Sequence, residues 1–353
     1  MTKICIDARM WGIRHTGIGR YIENLIDNLP GEVVLIVPPE LKNEPKLAKF
    51  KKYYARFHPY SAMAQLEMLW VLSFIRPDLL HVPHFTIPIL WPGKMVVTIH
   101  DLIKHISKGR DTTTRHPFLY WPKYFGYLII VWLAVHRASH IIVPAKYWKN
   151  ILEKKYHLDT NKISVTYEGV APIYFSKVTN PVGVGSGSPY VAYTGNLYPH
   201  KNVPILLSAI KLLKGKVNLV ISCARSIFAD RLETSKYVKF LGQVSDSDLV
   251  AIYKQSLAFV TPSLIEGFGL PGLEAMAAGT PVIAARASCL PEIYGDAAIF
   301  FDPHDPVDLA DKINSLLIDP KLRQKYITLG IKQVKKYSWA TMAKTTWQIY
   351  QAV

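Results

Sequence analysis

The sequence predicts an α/β fold made of two Rossmann-like halves, and three observations carry this prediction. Short β-rich runs alternate with helical segments along the chain, as in doubly wound parallel sheets. The stretch VTNPVGVGSGSP, which begins at residue 178, is rich in Gly, Ser and Pro and lies near the midpoint of the 353 residues. A chain of this length, 50 % of it hydrophobic, can bury a large core and favours two domains over one.

The first half begins with a strand, a glycine turn and a helix. KICIDA is a continuous apolar strand candidate, and in HTGIGRYIENLIDNLP the apolar residues Tyr21, Ile22, Leu25, Ile26 and Leu29 recur at helical spacing. Further strands are predicted in GEVVLIVP, DLLHVP, KMVVTIHD and ASHIIVPA. This order of elements indicates a parallel sheet with helices on its faces.

The second half repeats the same pattern. Its predicted strands are SPYVAYTGNL, KVNLVISCA, VKFLGQV, LAFVTPS and TPVIAA, with helices such as VPILLSAIKLL and SDLVAIYKQS between them. The final segment, YSWATMAKTTWQIYQAV, predicts a closing helix that packs through Trp339, Met342, Ala343, Thr346 and Tyr350. Two such halves facing across a cleft would hold a ligand at the carboxyl ends of both sheets.

The charge of the chain is concentrated in its first half. The net charge is +16, and residues 1–177 contain 24 Lys and Arg against 13 Asp and Glu, which gives +11. The run KNEPKLAKFKKYYARF at 42–57 interleaves Lys with aromatic residues and would suit nucleic acid or an anionic membrane surface. No nucleic-acid recognition module is present, so an electrostatic membrane clamp is expected, formed by Lys46, Lys49, Lys51 and Lys52. The alternative is a basic face that is simply solvated.

Two apolar runs and the cysteines bear on location. GYLIIVWLAV and LWVLSFI are shorter than the roughly 20 residues of a bilayer span, so both are expected to form buried helices near a membrane-facing surface. The amino terminus has no secretory leader pattern, and the three cysteines have no redox or metal-ligand spacing. These features predict a cytoplasmic protein that associates peripherally with the inner face of the membrane.

The most informative stretch is EGFGLPGLEAMAAGTPV, which begins at Glu266. It follows the strand LAFVTPS and opens a helix, so the amides of Phe268, Gly269 and Leu270 are expected at a helix amino terminus, where phosphate binds favourably. Glu274 in the first turns of that helix can accept two hydrogen bonds from a ribose diol. A nucleotide sugar has all the groups that these features recognise. The alternative is that the two glutamates are a cap and a surface charge.

Set in this context, the two glutamates resemble the paired-glutamate signature of retaining glycosyltransferases of family 4, which have the GT-B fold. The similarity extends along nearly the whole chain, through TGIGRY, VVTIHDL, YEGVAPIYF, TGNLYPHKN, EGFGLPGLEAMAAGTPVIA and YSWATMA. It implies an acceptor-binding domain at 1–180, a nucleotide-sugar donor domain at 189–335, and a crossover helix at 336–353 that packs toward the first domain.

The resemblance also assigns roles to individual residues. It implies that Glu274 binds the ribose, while Glu266 and the amides of Phe268, Gly269 and Leu270 hold the sugar and its phosphate. The donor site would further include Gly17, Gly19, Asn196, Lys201, Arg225 and Val244, with Lys201 on the diphosphate and Val244 at the base. His100 would contact the transferred sugar, so that His100, Glu266 and Lys201 are the expected catalytic residues.

One position departs from the family pattern. The family often has a phosphate-binding Arg beside its lysine loop, where this chain has Asn196 and His200. Lys201 therefore has no neighbouring Arg to help it bind the diphosphate, and Arg225 is the candidate that would replace the missing Arg. The Asp-Ser-Asp at 246–248 imitates a metal-binding motif but precedes a helix, where Asp and Ser are ordinary caps, so no metal and no cofactor are expected.

The chemistry expected is a retaining transfer without a covalent sugar intermediate. No carboxylate pair is placed as nucleophile and acid, which argues against a glycosidase. Lys201 and the loop amides would stabilise the departing diphosphate, and a donor phosphate oxygen would take the acceptor proton. His100 follows the strand KMVVTI and is expected at the carboxyl edge of the first sheet, with His81 and His84 as candidates for lining the acceptor site.

The leading functional hypothesis is transfer of mannose from GDP-mannose to a lipid-linked or membrane-proximal glycan, because TGIGRY and VVTIHDL resemble bacterial mannosyltransferases of polysaccharide assembly. A polyprenyl-linked glycan is one such acceptor. UDP-glucose or UDP-N-acetylglucosamine is the alternative donor. A catalytically silent protein that binds nucleotide sugar or glycan is the alternative of another class, favoured only by the missing Arg. A NAD-dependent oxidoreductase is excluded because TGIGRYI lacks the third glycine of the dinucleotide fingerprint.

Overall fold

The structure is a computed structural model that describes residues 2–12, 15–109, 117–176, 188–223, 232 and 235–353. Most of the predicted linker and Arg225 lie outside the described residues. The described chain forms two compact units. The first contains residues 2–105, 117–168 and Trp339–Val353, and the second contains residues 106–109 and 169–338.

The first unit is built on a seven-stranded parallel sheet in the order β3-β2-β1-β4-β5-β6-β7. Its strands are β1 (Ile4–Asp7), β2 (Val34–Val37), β3 (Lys51–Tyr54), β4 (Leu79–Val82), β5 (Met95–Thr98), β6 (His140–Val143) and β7 (Ile163–Val165). Its helices are α1 (Thr16–Asn28), α2 (Met63–Ile75), α3 (Ile103–Ile106), α4 (Pro117–Arg137) and α5 (Lys146–Tyr156). The strand order reverses between β1 and β4, where the carboxyl ends of parallel strands leave a crevice.

The second unit has a six-stranded parallel sheet in the order β10-β9-β8-β11-β12-β13, the strand order of dinucleotide-binding folds. Its strands are β8 (Tyr190–Thr194), β9 (Asn218–Ser222), β10 (Val238–Gly242), β11 (Ala258–Thr261), β12 (Val282–Ala285) and β13 (Ala298–Phe301). Its helices are α6 (Val203–Leu212), α7 (Asp246–Gln255), α8 (Leu270–Ala277), α9 (Leu290–Tyr294), α10 (Pro306–Ile318) and α11 (Pro320–Val334). The order reverses between β8 and β11.

The predicted α/β architecture with parallel sheets is confirmed. Apolar runs such as ICID and AFVT are buried along their whole length, because helices cover both faces of a parallel sheet. Three strands were not predicted from the sequence: β3, β7 and β13. Strand β3 is an edge strand of sequence KKYY with no buried residue, and β7 has only three residues. Neither shows the apolar run by which the other strands are recognised.

The last helix, α12 (Trp339–Ala352), packs within the first unit although it ends the chain. Its buried residues include all five that the helical spacing predicts. Tyr350 Oη lies 2.5 Å from Nδ1 of His81 on β4, and the Lys94 ammonium donates to the carbonyl of Val353 at 2.6 Å. A Cβ at Gly31 would lie 2.1 Å from the Trp347 ring, so glycine permits this close packing.

The two apolar runs were expected to form buried helices, but one face of each helix is exposed to solvent. GYLIIVWLAV lies in α4 and LWVLSFI in α2, and each helix buries one side while the other carries exposed apolar residues. Trp70 of α2 is 64 % exposed and Ile129 of α4 is 59 % exposed. No helix among the described residues is both long enough and apolar enough to cross a membrane.

Candidate functional site

The strongest candidate site lies in the second unit, at the point where its strand order reverses. The segment after β8 carries Asn196 and Lys201, and the segment after β11 carries Glu266 and leads into α8. Adjacent parallel strands bring their following loops to one sheet edge. A backbone hydrogen bond of 2.8 Å from Leu264 N to the carbonyl of His200 joins the two segments directly.

Lys201 and Glu266 form an ion pair at this edge. The ammonium Nζ lies 2.7 and 2.8 Å from the two carboxylate oxygens of Glu266. Burial alone would raise the pKa of Glu266, but the charge and hydrogen bonds of Lys201 outweigh it, so the pKa is lowered from its ordinary value. Glu266 is therefore ionised at neutral pH. Both side chains keep some contact with solvent, 15 % for Lys201 and 13 % for Glu266, so a ligand can reach the pair.

The start of α8 is held by a tyrosine that the sequence analysis missed. Gly269 is the residue before the helix and has φ +94°, a left-handed conformation that favours glycine. Tyr294 Oη donates to the Gly269 carbonyl at 2.7 Å, and a Cβ at Gly272 would lie 2.2 Å from that hydroxyl oxygen. The two glycines thus allow the hydroxyl to approach the backbone and set the direction of the first amides of α8, including that of Leu270.

Glu274 lies inside α8 and is only 5 % exposed. The interpretation of the glutamates as a cap and a surface charge therefore fails, because Gly269 occupies the cap position and Glu274 is buried. A charged side chain is rarely buried without a specific purpose. Phe268 is also buried and packs edge-on against Tyr337 at 5.5 Å between ring centroids.

The lysine loop has its own supports. Tyr193 Oη donates to the carbonyl of Asn196 at 2.6 Å, and the Asn196 side chain accepts from Tyr198 N at 3.3 Å. Burial lowers the pKa of His200 to about 4, with Lys201 acting in the same direction, so His200 adds no positive charge at neutral pH. His200 does not replace the Arg of the family pattern, and Arg225 lies outside the described residues.

The buried polar atoms at this edge that lack a hydrogen-bond partner among the described residues include Nδ1 of His200 and Oγ1 of Thr194, the last residue of β8. Buried polar atoms are almost always paired, so unpaired atoms at the edge that holds the ion pair are consistent with a place where a polar ligand or water completes the bonding.

Val244 follows β10 and precedes α7, where it is partly buried at the same end of the sheet. The neighbouring Asp-Ser-Asp belongs to a helix start: Ser245 is the cap residue, and its hydroxyl accepts from Asp248 N at 3.1 Å. Within the ranges that the structure describes, no three His, Cys, Asp or Glu side chains are grouped closely enough to hold a metal ion.

His100 lies in the first unit, two residues beyond β5. Its Nε2–H donates to the carbonyl of Pro83 at 3.1 Å, and its Nδ1 lies 3.5 Å from Oε1 of Glu168. Tyr21 packs edge-on against the imidazole at 4.6 Å between ring centroids. The ring is therefore held in one orientation, and the buried Glu168 forms an ion pair with it whenever His100 is protonated.

The other two histidines of this edge have different outcomes: His81 contradicts the expectation of an acceptor-lining residue, whereas for His84 that role stays a prediction. His81 is fully buried, with Nε2 2.8 Å from Thr98 Oγ1 and Nδ1 on Tyr350, so it is a structural residue and lines no acceptor site. Burial lowers its pKa to about 3. His84 is also buried and lies 3.0 Å from Tyr60 Oη.

The two glycines of TGIGRY have different surroundings. Gly17 is exposed in the first turn of α1, and a Cβ there would meet no atom within 4 Å. At Gly19, by contrast, a Cβ would lie 1.9 Å from the carbonyl oxygen of Gly12. Glycine at position 19 therefore lets the first turn of α1 pack against the backbone of Gly12, independently of any ligand.

Comparisons with known proteins identify the family of this chain. The model of the family "Glycosyltransferase Family 4" matches residues 15–172, and that of "Glycosyl transferases group 1" matches residues 177–333, which include Lys201, Glu266 and Glu274. The chain belongs to the group 1, family 4 glycosyltransferases. The predicted GT-B fold and enzymatic class are thereby confirmed.

Individual relatives of this glycosyltransferase support the assignment. It is 29 % identical to the O-antigen chain mannosyltransferase RfbU of Salmonella typhimurium, over 78 % of this chain and 74 % of the relative. It is 34 % identical to O-antigen chain mannosyltransferase B of Escherichia coli, over 46 % of this chain and 45 % of that one. In fold it is similar to Anabaena HepE, solved in complex with UDP-glucose, with a TM-score of 0.76, 16 % identity and full coverage of both chains.

Sequence reasoning missed the residues that support the site of this glycosyltransferase. Tyr294, Tyr193 and Ser288 each hold backbone of a site loop, and Ser288 Oγ both accepts from Glu266 N at 3.2 Å and donates to its carbonyl at 3.1 Å. Ser288 and Tyr294 lie 22 and 25 positions after the loop residues they hold, so no local pattern identifies them, whereas Tyr193 lies only three positions before Asn196. Glu168 was within the quoted stretch YEGVAPIYF, and a lone glutamate in an apolar stretch was the available signal.

Proposed function

We propose that this glycosyltransferase moves mannose from GDP-mannose to a lipid-linked or membrane-proximal glycan, with retention of the anomeric configuration. The observation that carries the proposal is the Lys201–Glu266 pair, set beside the amino terminus of α8 and the buried Glu274. The similarity to two O-antigen mannosyltransferases supports mannose as the sugar.

In this proposal the donor is bound through three kinds of group. The Lys201 ammonium and the amides of Phe268, Gly269 and Leu270 meet the diphosphate, because a cation and a helix amino terminus both favour negative charge. Glu274 accepts hydrogen bonds from the ribose hydroxyls. Glu266, which is ionised beside Lys201, accepts hydrogen bonds from the sugar hydroxyls.

The chemical step depends on stabilising the leaving group. As the bond between the anomeric carbon and the phosphate oxygen breaks, negative charge grows on the diphosphate, and Lys201 with the helix amides offsets it. The acceptor hydroxyl bonds to the anomeric carbon on the same face and gives its proton to a donor phosphate oxygen. His100 positions the sugar from the first unit. Because protein groups neutralise the diphosphate, the proposed reaction needs no metal ion and no cofactor.

The proposed acceptor requires the reaction to take place at a membrane. A polyprenyl-linked or other membrane-proximal glycan requires the enzyme to work at the cytoplasmic face, and the +11 charge of residues 1–177 suits an anionic lipid surface. We also propose that the first unit binds the acceptor and the second unit binds the donor, as the family resemblance implies.

A second donor has a specific observation in its favour. HepE, whose fold is similar, was solved with UDP-glucose, so UDP-glucose or UDP-N-acetylglucosamine is the alternative donor. Ribose and diphosphate are common to both nucleotides. The choice therefore depends on the base site near Val244 and on the sugar contacts of Glu266 and His100.

A donor panel tests the proposal. Purified protein is incubated with a polyprenyl-linked glycan acceptor and GDP-mannose, UDP-glucose or UDP-N-acetylglucosamine in excess EDTA, and release of GDP or UDP is followed. We expect GDP release at least about tenfold above either UDP release, with an α-configured product by NMR. A Lys201→Met variant should lose the activity, whereas Lys211→Met, an exposed lysine of α6, should keep it.

Each other outcome has a definite meaning. Faster UDP release would replace GDP-mannose by the alternative donor. Turnover that disappears in EDTA and returns with Mg²⁺ or Mn²⁺ would overturn the metal-independent step. A β-configured product would overturn retention.

A further inference from the structure

The outer face of α2 carries a stripe of exposed apolar side chains. Met63, Leu66, Trp70 and Phe74 are spaced three, four and four residues apart, so they lie on one side of the helix. Their exposed fractions run from 50 % to 64 %. The opposite side is also apolar and is buried, through residues such as Met68 and Leu72. A helix that is apolar all round is normally covered on every side.

The outer face of α4 repeats this arrangement over a greater length. Its exposed stripe consists of Phe118, Trp121, Phe125, Ile129 and Trp132, again at intervals of three and four residues. Their exposed fractions run from 43 % to 84 %. Four of the five are aromatic, and this enrichment in Trp and Phe is typical of side chains that lie at a membrane–water interface.

The two stripes are joined by the segment between β4 and β5. The Gln65 side chain of α2 donates to the Ile87 carbonyl at 3.1 Å and accepts from Ile89 N at 2.7 Å. Arg137, the last residue of α4, donates from the other side to the carbonyls of Ile89 and Trp91. Leu90 lies between these anchors and is 54 % exposed, so it connects the two stripes.

An apolar surface of this size needs a partner. Single exposed apolar side chains are normal, but contiguous patches mark contacts with another protein or with a membrane. These ten side chains occur on two neighbouring helices and the segment that both helices anchor. None of them belongs to the donor site of the second unit, so binding of the sugar nucleotide does not explain them.

The charges around the patch favour anionic lipid over a second copy of this chain as its partner. The sequence of α4 contains no Asp or Glu, and that of α2 contains one, Glu67, whose oxygens accept from the backbone amides of Arg56 at 2.7 Å and Phe57 at 2.9 Å. Arg76 follows α2 and Lys123 lies within α4, and both are exposed. A second copy of this basic unit would bring like charges together, whereas anionic lipid headgroups complement them.

We propose that the outer faces of α2 and α4, joined by Leu90, insert into an anionic lipid bilayer and are the principal membrane attachment of this protein. The inserted groups are the ten side chains of the patch. The lysine run at 42–57 then adds only long-range attraction. This inference extends the membrane location given above, and it does not depend on which sugar is transferred.

The test measures attachment rather than catalysis, so its failure is distinct from failure of the proposed function. Full-length protein is sedimented with vesicles of phosphatidylethanolamine and phosphatidylglycerol at 0.1 M and 0.5 M NaCl. We expect binding that weakens with salt but persists at 0.5 M, because apolar insertion is not screened. Phe125→Ser/Trp132→Ser should weaken binding by about tenfold or more at both salts, since each side chain loses buried apolar area.

A matched control removes apolar side chains elsewhere. Val307 and Ile318 of α10 in the second unit are 54 % and 70 % exposed, and Val307→Ser/Ile318→Ser should bind vesicles like the parent. Thermal unfolding should be unchanged in both variants, which shows that each is folded. Insertion is checked without serine substitutions, by quenching of Trp fluorescence with brominated lipid. This quenching should fall in Trp70→Phe/Trp121→Phe/Trp132→Phe.

Two results would overturn the inference. In one, the Phe125/Trp132 variant sediments with vesicles as the parent does at both salts, and brominated lipid does not quench the parent. In the other, analytical ultracentrifugation shows a parent dimer that the same variant converts to monomer, which would make the patch an interface between copies of this chain.

Discussion

The carboxyl edges of the two sheets each carry an ion pair, and the pairs differ in how completely they are closed. In the first unit Asp7 ends β1 and binds Arg9 through two hydrogen bonds of 2.8 and 2.7 Å, with side chains 5 % and 3 % exposed. Arg9 also donates to the Phe57 carbonyl at 3.3 Å. In the second unit Lys201 and Glu266 are paired as closely but retain 15 % and 13 % exposure, and the same edge carries buried polar atoms, such as Nδ1 of His200, that have no partner among the described residues.

This difference separates a pair that holds the fold from one that can exchange partners. Arg9 uses its planar fork on one carboxylate and one carbonyl, and the group is removed from water. Lys201 has a flexible stem and a point charge that can bind a phosphate without a fixed geometry. The two histidines of the first unit differ in exposure in a similar way: His81 is completely buried between Tyr350 and Thr98, whereas the side chain of His100, between Pro83 and Glu168, keeps 11 % exposure.

The largest effect is expected from breaking the closed pair. Arg9→Met leaves a buried carboxylate without its partner and should destabilise the first unit by about 3–5 kcal/mol. The measurement is the urea midpoint of the earliest unfolding transition. The double variant Asp7→Asn/Arg9→Met should recover part of the loss, because it removes the uncompensated charge. A single variant as stable as the parent would show that the pair does not hold the fold.

The open pair should affect turnover more than stability. Lys201→Ala removes a cation from the leaving diphosphate and should lower kcat about 10²–10³-fold, as other losses of transition-state charge stabilisation do. The urea midpoint should change less than in Arg9→Met. If Lys201→Ala instead unfolds as readily as Arg9→Met, the distinction between the two edges disappears.

A smaller effect is expected inside α8. Glu274→Ala should weaken binding of GDP by roughly 1.5–3 kcal/mol, because charged hydrogen bonds to the ribose are lost. Isothermal titration calorimetry measures the affinity, and Asp311→Ala on the exposed side of α10 is the matched control. Unchanged GDP affinity in Glu274→Ala would remove the ribose assignment.

The smallest effect is expected from the lysine run of the first unit. Replacing all four clamp lysines, Lys46, Lys49, Lys51 and Lys52, by Gln should weaken vesicle binding about tenfold or less at low salt and very little at 0.5 M NaCl. Two of them already have partners, because Lys46 pairs with Glu23 and Lys52 donates to the Lys42 carbonyl at 2.7 Å. The control replaces four exposed lysines in α11 and directly after it: Lys321, Lys325, Lys332 and Lys335. Equal losses in both variants would show that total charge, not its position, governs attachment.

The sequence by itself determined those features that are local. Continuous apolar runs are strands because a parallel sheet is buried on both faces, and the helical spacing in the last segment predicted the buried face of α12. The Lys201 and Glu266 loops were also recognisable, because a glycine-rich turn between a buried strand and a helix has a short-range signature. The edge strand β3 was missed because KKYY buries no side chain.

Only the tertiary structure decided which charged and aromatic residues are covered. His81 and Glu168 look alike in sequence to many solvated residues, and their partners Tyr350 and His100 lie 269 and 68 positions away. The apolar run at 126–135 of α4 was expected to be buried, and the fold left Ile129 and Trp132 exposed, because a helix on a sheet can bury only the face it turns to the strands. Local pattern specifies how apolar a segment is, whereas burial depends on contacts between residues far apart in the chain.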